Sequence, residues 1–192
     1  YNHYYRHVIG SVGTEVPGVE IQIRDQNGVQ MEQGQEGEIC VRGPNIMKGY
    51  LNNPEETQAA FWERGWFRSG DIGIIDEDRY LYIIDRLKDM IITGGENVYS
   101  LEVEEALYTY PDVQECAVIG APDKEWGERV MAFIIPRPNR SIDDKKLQCF
   151  LKSRLSPYKV PKLFFTVSDF PRNPAGKVLK RELRKTAIKK ND

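Results

Sequence analysis

Three short segments carry residues whose types and spacing could do chemistry. Trp66-Phe67-Arg68-Ser69-Gly70-Asp71 ends a polar loop where an apolar run begins. An Asp at such a place can accept hydrogen bonds from a pair of hydroxyls, as on a ribose, and it can equally satisfy the backbone N–H groups of its own turn. Thr93-Gly94-Gly95-Glu96-Asn97 follows the apolar Met90-Ile91-Ile92. Two consecutive glycines let a ligand approach the backbone closely, and tight turns use the same pair. Arg172-Asn173-Pro174-Ala175-Gly176-Lys177 puts a lysine on a Gly-containing loop just ahead of a helical pattern. A compact ammonium on a flexible stem can reach an anion there. An ordinary solvated lysine has the same local signature.

The elements that must position these segments fall into two blocks. Residues 8–85 read as β-structure. Val19, Ile21 and Ile23 alternate with polar residues, the period-2 signal of a half-buried strand, and residues 38–42 form a second such run. Asn27-Gly28 lies directly after the first run and predicts a type I′ hairpin turn. Residues 71–84 hold two apolar runs around Asp76-Glu77-Asp78, a second hairpin. Short strands with frequent Gly and Pro predict a small β-barrel-like or sandwich subdomain.

After residue 85 the pattern turns to mixed α/β. Ser100 is placed to cap a helix whose first turns carry Glu102, Glu104 and Glu105, with Val103, Ala106, Leu107 and Tyr110 on its buried side and Pro111 ending it. Residues 116–119, 130–135 and 162–167 read as strands. Ser141 is placed to cap a second helix with Leu147, Phe150, Leu151 and Leu155 inward, and a last helix starts at Lys180. The expected division is 1–85 and 86–192, the second block being a small α/β (α+β) domain. A charged junction without a Gly/Ser linker, Asp85-Arg86-Leu87-Lys88, is what a short hinge looks like.

Composition narrows the classes. The 192 residues are 40% hydrophobic and 29% charged, a globular balance, and 27 basic against 29 acidic residues leave a net charge of -2. That balance argues against nucleic acid as the main partner. The basic stretch 177–190 reads as the solvated face of a terminal helix, or as a site for nucleotide phosphates. Cys40, Cys116 and Cys149 have no zinc or disulfide spacing, which fits a reducing cytoplasm. Cys116 and Cys149, inside apolar runs, are expected in the core. No apolar run is long enough for a spanning helix. The opening Tyr1-Asn2-His3-Tyr4-Tyr5 has no initiator Met and no signal pattern, so the chain is expected to be a fragment of a longer one.

Taken together and in order, the segments resemble the adenylate-forming ligases, the family of acyl-CoA synthetases, luciferases and peptide-synthetase adenylation domains. Gly37-Glu38-Ile39-Cys40-Val41-Arg42-Gly43-Pro44, with Met47-Lys48-Gly49-Tyr50 and Pro54-Glu55 before Thr57, is similar to one family motif. Gly65-Trp66-Phe67-Arg68-Ser69-Gly70-Asp71 resembles a second. Asp85-Arg86-Leu87-Lys88-Asp89 with Gly94-Gly95-Glu96-Asn97-Val98, Glu102 and Glu104 resembles the hinge and lid. Asn173-Pro174-Ala175-Gly176-Lys177 with Arg181-Glu182-Leu183 resembles the closing motif. Ser100 departs from the family, where Pro is common.

The resemblance implies an acyl-CoA synthetase of the fatty-acid–CoA ligase type, to which the Gly94-Gly95-Glu96-Asn97 wording leans. Such an enzyme activates a carboxylic acid with ATP to acyl-AMP and passes the acyl group to CoA. Residues 1–85 would be the last subdomain of a large adenylation domain, and 86–192 a mobile lid. Asp71 and Arg86 would contact the ATP/AMP ribose, Lys88 would be the hinge, and Gly94, Gly95 and Glu96 would line the path of the CoA pantetheine arm. Lys177 would be the catalytic residue of the first step. The basic residues of the last helix, or Lys152 and Arg154, could meet the CoA phosphates. No phosphate loop ending in Pro-Lys-Gly is present, so Mg²⁺, triphosphate and acyl contacts are expected from the remainder of the large domain, and this piece alone should not activate an acid. Two alternatives differ in class: an acyl-AMP ligase for a carrier protein, and a non-catalytic interaction module descended from such a lid.

Overall fold

The computed structural model describes residues 8–191, with side chains described as far as Ala187. The aromatic opening Tyr1-Asn2-His3-Tyr4-Tyr5 lies outside the described residues, as do the side chains of Lys189 and Lys190 in the basic stretch. The backbone separates into two compact units between Lys88 and Asp89.

In the first unit, strands β1 (Glu20–Arg24), β2 (Gly37–Arg42), β3 (Phe61–Trp62), β4 (Trp66–Ile75) and β5 (Leu81–Arg86) form one antiparallel sheet, with a short helix α1 (Pro54–Ala59) before β3. The order is β1-β2-β4, and the far edge of β4 is shared by β3 along its first residues and β5 along its last. Register shifts between Glu38 and Cys40 and between Ile72 and Gly73 mark bulges. Bulges bend strands and raise twist, so the sheet curls around Ile23, Ile39, Ile75 and Leu81.

The turn after β1 differs from the expected type I′. Gly28 takes φ +79°, Asn27 is not in the left-handed region, and the Gly28 N–H donates to the Asp25 carbonyl at 3.0 Å. This is a type I turn closed by a left-handed residue, the longer hairpin loop. The Asp25 carboxylate decides it by accepting the amides of Asn27 (2.9 Å) and Val29 (2.8 Å). The β4–β5 turn repeats the design: Asp76 accepts the Tyr80 amide, and Arg79 occupies the left-handed position at φ +70°.

The second unit is a sheet covered on both faces. A short hairpin, β6 (Ile91–Thr93) and β7 (Glu96–Val98), leads into helix α2 (Ser100–Tyr108). The long antiparallel pair β8 (Val113–Asp123) and β9 (Gly127–Pro136) is the centre, and β10 (Leu163–Thr166) runs parallel to β9 beyond helix α3 (Asp144–Lys152). Helix α4 (Lys180–Asn191) closes the chain. Cys116, Val118, Ala132 and Ile134 face α2 and α3, in a core with Val103, Leu107, Leu147 and Leu151. Their neighbours Ala117, Ile119, Met131 and Phe133 face the other way, with Phe170 and with Leu183 and Ala187 of α4. Burial on both faces is why these strands read as continuous apolar runs without alternation.

Three local expectations are corrected. Ser100 does not cap α2: Tyr99 occupies that position and makes no side-chain capping bond, and Ser100 is fully buried inside the first turn. Ser141 does not cap α3: Asp143 does, accepting the amides of Lys145 and Lys146 at 3.0 and 3.1 Å, because its carboxylate sits at the right distance and suits the helix dipole. Cys149 lies on the exposed side of α3, while Cys40 and Cys116 are buried.

Candidate functional site

The register of β4 with β5 places Asp71 directly opposite Arg86, and the Arg86 Nε meets Asp71 Oδ1 at 3.0 Å. Both side chains are partly exposed. They stand beside a cleft of about 460 Å³ lined by Ser69, Gly70, Arg86, Leu87 and Lys88. The loop feeding it is built from below. Glu38, nearly fully buried, holds Arg68 through its Oε2 at 2.9 Å and accepts the Gly70 amide at 3.3 Å, while Ser69 Oγ accepts the Asp71 amide at 3.0 Å. Gly70 takes φ +71°, a bend that an L side chain would strain. The carboxylate of Asp71 is thus aimed from a fixed strand, which is what recognition of a diol requires. Lys88 ends this unit within a short 3₁₀ turn, Leu87–Asp89.

In the second unit, Gly94 and Gly95 are the two central residues of the β6–β7 hairpin, at φ +59° and +84°. Two left-handed residues in succession make a type I′ turn, which favours Gly at both. The pair is therefore a tight turn, and Gly94 is also a close approach: a Cβ there would lie 2.7 Å from the Trp126 ring. The Gly94 amide donates to the Trp126 carbonyl at 2.9 Å. Thr93, Gly94 and Glu96 line a cleft of about 440 Å³ together with Trp126, Arg129, Tyr158 and Lys162. Gly95, at the apex, is not among the lining residues.

Asp123 also lines this cleft. Its carboxylate accepts the amides of Glu125 (2.9 Å) and Trp126 (3.0 Å) and pairs with Arg129 at 2.6 Å. Those two amides, and then Arg129, hold its carboxyl below the usual range. Arg129 Nε is buried without a partner among the described residues. Sequence reasoning missed Trp126, Arg129, Tyr158 and Lys162. The one available signal was Asp123-Lys124-Glu125-Trp126-Gly127, a turn with an aromatic residue between two strand-like runs.

Lys177 sits on a compact turn. Asn173 Oδ1 accepts the Lys177 amide at 2.8 Å, the Asn173 and Lys177 backbones bond at 2.9 Å, and Gly176 takes φ +81°. Arg172 braces the turn, donating to the Gly176 carbonyl at 3.0 Å and pairing with Glu115. The Lys177 side chain is exposed, and among the described residues its ammonium has no partner. The backbone is fixed while the charge is free to reach out. No group of three or more His, Cys, Asp or Glu among the described residues could hold a metal.

Comparison with known proteins gives a consistent result. Residues 2–51 match the family described as AMP-binding enzyme, and residues 102–177 match the AMP-binding enzyme C-terminal domain. The chain is 46% identical over 177 residues to the feruloyl-CoA synthase of an Amycolatopsis species, covering 92% of this chain and 36% of that protein. It is 45% identical to the long-chain-fatty-acid–CoA ligase FadD13 of Mycobacterium tuberculosis, covering 91% and 34%. Among solved structures, ATP-bound MatB from Rhodopseudomonas palustris matches with a TM-score of 0.88 and 41% identity, covering 94% of this chain and 36% of that one. The chain spans about a third of the length of the curated relatives it matches.

Proposed function

Because the chain belongs to the adenylate-forming, AMP-binding enzyme family, we propose that it supplies the ribose contacts, hinge and lid of an AMP-forming acid–thiol ligase. That enzyme joins a carboxylic acid to ATP, releasing pyrophosphate and forming acyl-AMP. CoA thiol then displaces AMP to give the thioester. Residues 1–85 belong in this reading to the last subdomain of the adenylation domain, and 86–192 to the lid. The observation that carries the reading is Lys177, whose ammonium has no partner among the described residues, on a turn locked by Asn173 and Arg172.

Each assignment has a physical reason. Attack of a carboxylate on the α-phosphate joins two anions, so the barrier is largely electrostatic, and the Lys177 ammonium lowers it where charge builds up. Asp71 accepts the ribose hydroxyls, with Arg86 orienting its carboxylate and adding a second ribose contact. Lys88 is the hinge residue through which the lid turns between steps. Gly94, Gly95 and Glu96 form the edge along which the pantetheine arm passes, since a backbone without side chains leaves room for it. The magnesium that accompanies ATP in this family has no ligand cluster among the described residues, so no step assigned here runs through it. For the acid we propose a fatty acid. Relatives named for ferulate and for long-chain fatty acids make this a specific claim, which pyrophosphate release with each class of acid tests.

The deciding experiment separates the half-reactions in the complete enzyme. Lys177→Ala should slow pyrophosphate release by on the order of 10²–10³ while sparing thioester formation from supplied acyl-adenylate. Equal loss of both half-reactions would overturn the assignment.

A further inference from the structure

A buried polar cluster lies just beyond the Lys177 turn. Lys180, three positions later and the first residue of α4, points inward. Its Nζ donates to Ser100 Oγ at 2.7 Å and meets Glu104 Oε1 at the same distance. Glu104 Oε1 also accepts the Val118 amide at 2.8 Å. Ser100 is fully buried, and the Lys180 and Glu104 side chains are only 18% and 12% exposed. One ammonium therefore ties the start of α4 to the first turn of α2 and, through Glu104, to the central strand β8.

The position of this cluster in the chain gives it meaning. Ser100 lies shortly after the Gly94-Gly95 turn, and Lys180 shortly after Lys177. The short β7 strand and Tyr99 separate the glycines from Ser100, while only Val178 and Leu179 separate the two lysines. The Leu179 amide donates to the Pro171 carbonyl at 2.7 Å, and Arg172 pairs with Val178 as a bridge, so both stems of the Lys177 turn are fixed to each other. That pair of stems is tied to the body of the unit by Lys180, by the Arg172–Glu115 ion pair, and by apolar packing of Phe170, Val178 and Leu183 against β8 and β9.

We propose that Lys180 is a positioning residue for Lys177, and that Ser100 and Glu104 are its seat. Lys180 touches no substrate. Removing it lets the 173–177 turn ride with a loosened α4 start, which displaces the Lys177 ammonium from the line of attack. A buried, charge-assisted contact of this kind confers geometric definition more than affinity, so the loss falls on turnover and not on ATP binding. The inference rests on the assignment of Lys177 to the first half-reaction.

The test uses the complete enzyme with Lys180→Met, which keeps the stem and removes the charge, and Ser100→Ala, which removes one acceptor from a buried site. Amide hydrogen exchange over residues 171–180 reads positioning without reference to catalysis. We expect Lys180→Met to speed exchange at Lys177 and to lower kcat for pyrophosphate release by about 10–100-fold with KM for ATP within about threefold. Transfer from supplied acyl-adenylate should stay near normal, and Ser100→Ala should move both readouts the same way by less. Unchanged exchange and adenylation in both variants would overturn the proposal, as would adenylation and transfer falling together. If Lys180→Met unfolds the protein, Ser100→Ala alone decides by the same criteria. If Lys177→Ala itself leaves adenylation intact, the underlying assignment fails, whereas loss in Lys177→Ala with none in Lys180→Met and Ser100→Ala refutes only the positioning role.

Discussion

Replacing Gly94 by alanine should be distinctly more damaging than the same change at Gly95, although the two are adjacent in one turn. Both sit at positive φ, +59° and +84°, where an L residue costs about 1–2 kcal/mol. Around Gly95 there is open space, so strain is the whole cost. At Gly94 the new methyl would lie 2.7 Å from Trp126 Cε3 and 3.0 Å from Cζ3. Carbon pairs prefer roughly 3.5–4.0 Å, so the ring must retreat by about 1 Å. Trp126 is half exposed and can swing outward, which avoids a core clash but uncovers roughly 40 Å² of apolar contact, worth about 1 kcal/mol. The expectation is about 2–3 kcal/mol for Gly94→Ala against about 1–2 for Gly95→Ala. Urea unfolding followed by far-UV circular dichroism measures both, and a double-mutant cycle with Trp126→Ala isolates the ring, with a coupling of about 1 kcal/mol. Equal costs at the two positions, or a cycle with no coupling, would refute the claim that the ring sets the requirement at Gly94.

Other outcomes follow from the same geometry. Burial pushes the Cys40 thiol to about 11 and the Cys116 thiol to about 12, while Cys149 is exposed. An aromatic disulfide reagent at neutral pH should therefore label one thiol in the native protein, lost in Cys149→Ser, and three after unfolding. The lowered carboxyl of Asp123 makes a signed pH prediction: what it contributes to stability is fully present above about pH 4, its unfolded value, and is lost as pH falls through its lower folded value. Asp123→Asn should flatten that acid limb of the unfolding midpoint, and an unchanged limb would show that the carboxylate is not what anchors the β8–β9 turn.

Much of this architecture is visible in the sequence because burial writes it in period. Val19, Ile21 and Ile23 announce β1 by alternation. Residues 116–119 and 130–135 announce β8 and β9 by the absence of alternation, once both faces are covered. The candidate residues were visible through turn chemistry: Gly94-Gly95 and Asn173-Pro174-Ala175-Gly176-Lys177 have few conformations open to them. What was hidden depended on partners distant in sequence. Asn27-Gly28 favours one turn locally, yet the Asp25 carboxylate two residues earlier selects another. Ser100 has the chemistry of a cap, yet it lies buried inside the helix with its hydroxyl accepting from Lys180, 80 residues away. Trp126 and Tyr158 come to one cleft through the β9 and β10 pairings, which no local pattern encodes.

The central β8–β9 pair also has a kinetic consequence. Its strands are joined by a loop of three residues, and its register can zip from that loop without closing any long stretch of chain. The β10 strand must pair with β9 in parallel, with α3 lying between them in sequence, and α4 can dock on Phe133 and Phe170 only after that sheet face exists. Local contacts form early and non-local parallel ones late. The turn bearing Lys177 lies after β10 and before α4, so it is among the last parts of the unit to acquire its native surroundings. A chain released before that moment would hold a formed sheet and an unfixed Lys177 turn, folded by most spectroscopic measures.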